Sequence, residues 1–187
     1  MRRDQLEHAI RAACQIIGRP EVIVLGSQAI LGTFGEDELP VRATMSAEIV
    51  ILPMADSNEE PAQLADRIEG VAGEFSPFEE LHGFRIDGVD LTTSALPDGW
   101  RDRLVKVQNA NTTELTGRRQ FTGWCLDKED LCVAKLCAFR EKDQNFVSEL
   151  LRAGLVDSGV IAMRLATVPE LYRPNAEHAA EWLASWT

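Results

Sequence analysis

Val22-Ile23-Val24-Leu25-Gly26-Ser27-Gln28-Ala29-Ile30-Leu31 is answered, one loop later, by Ser46-Ala47-Glu48-Ile49-Val50-Ile51-Leu52. The first stretch opens as a β-branched apolar run bounded by a glycine, the pattern of a buried strand. After the Gly-Ser turn the chain resumes as a short helix over residues 28–31. A strand that ends in Gly-Ser ahead of a helix gathers free backbone amides, a hydroxyl and a helix N-terminus at one spot, an arrangement suited to phosphate. The second stretch also reads as a strand, closed by Pro53, but it carries a carboxylate among apolar neighbours. Because side chains alternate along a strand, Ser46, Glu48 and Val50 share one face, and Ala47, Ile49 and Ile51 the other. A phosphate cradle on one strand with an inward carboxylate on the next makes a metal–nucleotide site.

Upstream, Leu6, Ile10, Cys14 and Ile17 recur at helical spacing until Gly18 and Pro20, so a packing helix feeds the first strand. The acidic segment 32–40 reads as a solvated loop leading to the second strand. Beyond it, Ser57 or Asn58 can cap a helix that has Pro61 in its first turn and runs to about Ala72. Phe84-Arg85-Ile86 and Val89-Asp90-Leu91-Thr92-Thr93 read as two strands of a hairpin turned at Asp87-Gly88. On that reading Asp87 is a turn residue and Asp90 lies within a strand. Residues 109–119 form a polar loop or hairpin tip, and 120–126 a final strand. Asp127 caps a helix whose run Leu131-Cys132-Val133-Ala134-Lys135-Leu136-Cys137-Ala138-Phe139 is apolar except for Lys135. A lysine on a buried helix either carries its ammonium to the surface or meets an anion. Further helices follow, over 144–151, after Asp157, and over 175–186, where Trp182 and Trp186 are helical neighbours placed for packing.

Composition sets limits on partners. The chain has 187 residues, is 45% hydrophobic and carries a net charge of −11. That length suits one compact unit, divided here into an α/β core over 1–126 and a helical part over 127–187 packed on it. No run approaches the 18 apolar residues of a membrane span, and the charged N-terminus lacks the apolar segment of a secretory signal. Cys14, Cys125, Cys132 and Cys137 contain no CxxC pair and sit among apolar residues, as expected of buried thiols in a reduced, cytoplasmic protein. The acidic balance argues against broad DNA binding, which wants a basic face. It leaves room for one mononucleotide or a basic protein partner. A dinucleotide-binding unit is a poor fit for want of GxGxxG, and a P-loop for want of its lysine. The order of elements points to an α+β fold, a small mixed sheet flanked by helices with a helical C-terminal part.

Leu25-Gly26-Ser27-Gln28-Ala29, Arg42-Ala43-Thr44-Met45-Ser46-Ala47-Glu48 and the later Lys135 with Arg140-Glu141-Lys142-Asp143 resemble the nucleotidyltransferase-fold proteins grouped with the abortive-infection and toxin–antitoxin nucleotidyltransferases. The resembling pieces span roughly residues 20–52 and 89–152 and occur in the family's order. The resemblance implies a Gly-Ser turn, here Gly26 and Ser27, that holds nucleotide phosphates. It implies a pair of carboxylates at i and i+2 on the next strand that bind Mg²⁺, and a third from a later strand, at Asp90. It also implies that Lys135 points into the nucleotide cleft, with Arg140, Lys142 and Asp143 near it. The sequence departs from the family at the acidic pair. Whether the pair is aligned as Ser46/Glu48 or Glu48/Val50, one member is not acidic.

Two functions follow. One is nucleotidyl transfer from a nucleoside triphosphate to an RNA or protein acceptor in a toxin–antitoxin type system. There Glu48 and Asp90 are the metal ligands, Glu48, Asp90 and Lys135 the catalytic residues, and Gly26, Ser27, Lys135, Arg140 and Lys142 the nucleotide contacts. The other is a catalytically degenerate member of the fold that binds nucleotide or protein, the reading that Val50 favours.

Overall fold

The computed structural model describes residues 1–55 and 60–186. Helix α1 (Arg3–Ile17) buries Leu6, Ile10, Ala13, Cys14 and Ile17 along one stripe, as its spacing requires. Among the described residues five strands follow: β1 (Glu21–Val24), β2 (Glu48–Pro53), β3 (Arg85–Gly88), β4 (Val105–Val107) and β5 (Thr122–Cys125). They form one mixed sheet in the order β3-β2-β1-β5-β4. β1 is antiparallel to β2 and parallel to β5, β2 is parallel to β3, and β4 is antiparallel to β5. This is the small mixed sheet of an α+β protein.

One face of the sheet is dry. Val22, Val24, Ile49, Ile51 and Ile86 are fully buried, and α1 and α2 (Pro61–Ala72) pack against the strands. Two glycines permit this close packing. A Cβ on Gly123 would stand 2.3 Å from Ile10, and one on Gly88 would stand 2.2 Å from the backbone of Ala65 in α2. Alternation then assigns Glu48, Val50, Arg85 and Asp87 to the opposite face. The register pairs Glu48 with Arg85 and Val50 with Asp87.

The expected hairpin at Asp87-Gly88 does not form. β3 runs through both residues and pairs in parallel with β2, and Leu91–Thr93 is a 3₁₀ turn rather than a strand. Gly88 serves the close approach of α2, not a reversal of the chain. Helix α3 (Pro77–His82), capped by Ser76, and strand β4 are two elements without a sequence expectation behind them. Both are shorter than one period-based window. The proposed caps Ser57 and Asn58 lie outside the described residues.

The C-terminal helices are α4 (Lys128–Ala138), α5 (Glu141–Arg152), α6 (Ser158–Leu165) and α7 (Arg173–Leu183). Asp127 caps α4 and Asp157 caps α6, each accepting from two backbone amides, as expected of N-cap carboxylates. Helix α4 touches α5, α6, α7 and the 3₁₀ turn Ser27–Gly32, and α5 touches Val41–Thr44. Asp130 in α4 is fully buried and accepts two hydrogen bonds from Arg103, at 2.8 and 3.0 Å, and one from Arg164 at 3.0 Å. A buried carboxylate needs such partners, since an unpaired one is costly. All four cysteines are free and buried. Burial pushes the Cys14 and Cys125 thiols up to about 12, so neither is a nucleophile at neutral pH. No described helix is long and apolar enough to cross a membrane.

Gly88→Ala should cost about 1–3 kcal/mol, because the added methyl forces α2 away from β3. Chemical denaturation checks this. An unchanged midpoint would show that α2 does not rest on Gly88.

Candidate functional site

Where β1 ends, Leu25 donates its amide to the Val50 carbonyl at 3.0 Å, and the chain turns through Gly26 into the 3₁₀ turn. Gly26 has no room for a side chain: a Cβ there would meet Val50 Cγ2 at 2.7 Å. The turn is thereby pressed onto β2. Its neighbour Gln28 is fully buried and donates from Nε2 to the Ser46 carbonyl at 3.1 Å, while its Oε1 has no partner among the described residues. Gln28 therefore anchors the segment that leads into Glu48, and Ser46 Oγ accepts the Glu48 amide at 3.2 Å.

This turn forms one wall of a cleft of about 1030 Å³, at the upper end of the range of small-molecule sites. Gly26, Ser27, Glu48 and Val50 line it from the sheet side, together with Asp87. Lys135, Arg140 and Lys142 line it from the helical side, and Arg42 from the loop between. The structure thus brings together Gly26, Ser27, Glu48, Lys135, Arg140 and Lys142. Asp90 does not join them. It caps the 3₁₀ turn Leu91–Thr93, and its carboxylate accepts from the Thr92 amide at 2.8 Å and the Thr92 hydroxyl at 2.5 Å. Those bonds hold it below the usual carboxylate range.

The second acid of the cleft is Asp87, which stands beside Val50 across the parallel ladder. Arg85 lies between the two carboxylates, donating to Glu48 Oε2 at 2.8 Å and to Asp87 Oδ1 at 3.1 Å. The side chains of Glu48, Arg85 and Asp87 are 33%, 25% and 23% exposed, so all three are partly desolvated. Burial first and the Glu48 carboxylate second push the Asp87 carboxyl up to about 6, against the pull of Arg85. A carboxyl so raised is one that a further cation would favour in its ionised form.

Lys135 has its own anion. Its ammonium meets Asp143 Oδ1 at 2.9 Å rather than Glu48 or Asp90, and Arg140 Nε meets the other oxygen at 2.5 Å. Asp143 is 1% exposed. Burial pushes its carboxyl up, but the bonds from Arg140 and Lys135 prevail and hold it below the usual range. Arg42 and Lys142 form no ion pair among the described residues. Nor does the Ser27 hydroxyl bond to another group among the described residues. Helix α5 begins here at Arg140 without a side-chain cap. The cleft therefore presents the Glu48 and Asp87 carboxylates with the Ser27 hydroxyl and the turn amides on its sheet side, and cations around Asp143 on its helical side.

Residues 4–185 match the sequence profile of a family described as nucleotidyltransferase of unknown function (DUF6036). The chain belongs to this nucleotidyltransferase family. Comparison with the curated proteins and with the solved structures returns no significant match. Family membership gives the Gly-Ser turn and the neighbouring acids a shared context, and within it sequence reasoning misses the cleft-lining Asp87 and Arg42, as well as Arg85, bonded to both sheet-side acids, and Gln28, buried beneath the turn. The signal for Asp87 was present: Phe84 and Ile86 are buried while Arg85 and Asp87 are not, a period-2 pattern that continues through the supposed turn.

Lys135→Met should destabilise the protein by about 3 kcal/mol, since it removes one of the two cations on a buried carboxylate. A neutral or stabilising effect would mean that Arg140 alone suffices. Asp87→Asn should change stability in a pH-dependent way. A carboxyl raised to about 6 in the fold favours the folded state when protonated, and that advantage disappears as pH rises from about 4 through 6. The melting temperature of Asp87→Asn relative to the parent should therefore be higher at pH 7.5 than at pH 4. A difference independent of pH would contradict the raised carboxyl.

Proposed function

We propose that the cleft binds a Mg²⁺–nucleoside triphosphate and supports transfer of its nucleotidyl group to an RNA or protein acceptor. The observation that carries this is the placement of Glu48 and Asp87 side by side within the cleft that the Gly26-Ser27 turn opens into. Two carboxylates fit Mg²⁺ delivered by a nucleotide, because this hard cation is commonly held by one or two protein carboxylates with phosphate oxygens and waters completing the shell. They do not fit a dedicated protein cage, and no group of three metal-binding side chains occurs among the described residues. Glu48 and Asp87 would hold the ion, which supplies charge neutralisation at the phosphates.

The rest of the chemistry belongs to the chain. Ser27 and the free amides of the turn bind phosphate oxygens. Arg42, Lys135, Arg140 and Lys142 offset the charge that builds on the departing pyrophosphate as the acceptor oxygen bonds to the α-phosphorus and the bridging P–O bond breaks. In a chain of net charge −11, this clustering of cations makes the cleft a local attractor for a polyanion while the outer surface repels nucleic acid. Placement in a toxin–antitoxin type system, with a protein partner, rests on the resemblance of the turn and helix segments, and Mg²⁺ on the same resemblance together with the carboxylate pair.

Val50 favours a second reading, a member of the fold that binds nucleotide without efficient transfer. It supplies a methyl surface, packed on Gly26, where the resemblance, aligned as Glu48/Val50, implies an acid.

A thermal-shift panel of the four nucleoside triphosphates, with and without Mg²⁺, tests both readings. At 100 times the dissociation constant, binding should add about 2.7 kcal/mol of stability, and Asp87→Asn should lose the Mg²⁺-dependent part. No shift with any nucleotide contradicts nucleotide binding. Val50→Asp should strengthen Mg²⁺-dependent binding while lowering the stability of the apo protein, because it adds a third carboxylate beside Asp87. Ser46→Asp is the matched control for the other alignment. If labelled nucleotide passes to acceptor only in Val50→Asp, the native protein is the degenerate form.

A further inference from the structure

Among the described residues, Arg85 is the cation bonded to both Glu48 and Asp87, the sheet-side acids of the cleft, and it comes from the sheet itself. The register sets it beside Glu48, and its own strand places it two residues from Asp87. Its guanidinium reaches Glu48 Oε2 at 2.8 Å through one terminal nitrogen and Asp87 Oδ1 at 3.1 Å through Nε. The other terminal nitrogen lies 3.7 Å from Glu79 Oε1. Glu79 is held in place by its neighbours: its amide donates to Ser76 Oγ at 3.2 Å, and its Oε2 accepts the Phe75 amide at 2.7 Å. The short helix α3 thus presents a third carboxylate to the same arginine.

We propose that Arg85 is the internal counter-ion of the Glu48–Asp87 pair and couples metal loading to nucleotide binding, so that the free protein does not take up Mg²⁺. The inference rests on the Mg²⁺–nucleotide reading of the cleft. Mg²⁺ and the guanidinium compete for the same carboxylate oxygens, and the two cations repel. A bare ion entering the cleft must break two charge-assisted hydrogen bonds, each stronger than a neutral one. An ion that arrives with a triphosphate brings its own oxygen ligands and several negative charges, which offset that repulsion. Glu79, already within ion-pair distance, receives the guanidinium when it leaves the pair. Arg85 acts through the two acids and is a positioning residue.

Calorimetric titration of Mg²⁺, and of Mn²⁺ as a second probe, into nucleotide-free protein at pH 8 tests this. The parent should bind neither ion at millimolar concentration. Arg85→Gln, which frees both carboxylates, should bind Mn²⁺ at least ~10-fold more tightly than the parent, and Asp87→Asn in the same background should erase the gain. Arg85→Lys keeps the charge, but one ammonium cannot span both carboxylates as the fork does, so its affinity should fall between parent and Arg85→Gln. It also decides the matter should Arg85→Gln not fold. A purely structural role would shift the melting temperature and leave metal affinity where it was. Metal binding by the free parent equal to that of the arginine variants overturns the proposal. Since the titration contains no nucleotide, its outcome is separate from that of the thermal-shift panel.

Discussion

Parallel pairing of β2 with β3 is the constraint on which the cleft depends. It sets Arg85 beside Glu48 and Asp87 beside Val50, so one arginine stands between an acid of its own strand and an acid of the next. The pairing is secured from the opposite face, where Ile49, Ile51 and Ile86 are fully buried and Gly88 lets α2 approach to backbone contact. A slip of β3 by one residue against β2 would turn Arg85 and Asp87 into the dry face. The desolvation cost of those two charges opposes any such slip. Apolar packing on one side of the sheet thereby fixes the polar site on the other.

A second constraint joins the sheet to the helices. Val50 fills the space that Gly26 leaves open, and buried Gln28 ties the same turn to the Ser46 carbonyl. Helix α4 rests on this turn and carries Lys135, whose ammonium is fixed by Asp143 from α5. The Asp143 carboxylate therefore does two things. It neutralises a lysine that would be costly on a helix with so many buried neighbours, and it holds the α4–α5 corner at the cleft. Lys135 and Arg140 are consequently oriented in advance, while Arg42 and Lys142 remain available to an anion. The apolar side chain that cannot ligate a metal is the one that lets Val50 pack on the turn.

Much of this was legible in the sequence where one period dominated. The apolar runs at 22–25 and 48–53, the α1 stripe, the Asp127 and Asp157 caps and the Gly26-Ser27 turn all express local rules, and the mixed sheet with helices follows from their order. Lys135 stood out as a lone charge in an apolar helix, although its partner, eight positions on, was not assigned to it. Asp87-Gly88 misled because the dipeptide signals a turn when read locally, whereas here the glycine answers to Ala65 in a helix more than twenty residues earlier in the chain. The resemblance puts the third acid at Asp90, which in fact spends its carboxylate on Thr92. Arg85 could not be assigned a role without the β2–β3 register, and parallel pairing leaves no short-range mark in sequence. Gln28 gained its meaning only from burial.

The central claim is that Glu48 and Asp87, not Asp90, form the metal-binding pair of a nucleotide cleft. Anomalous scattering from a crystal grown with Mn²⁺ and a non-hydrolysable nucleoside triphosphate analogue tests it most directly. The account predicts a manganese peak within coordination distance of both the Glu48 and Asp87 carboxylates, with the triphosphate lying against Gly26 and Ser27 and Arg85 turned toward Glu79. A peak at Asp90, or a nucleotide bound away from the Gly26-Ser27 turn with Arg85 still seated between the two acids, would contradict it.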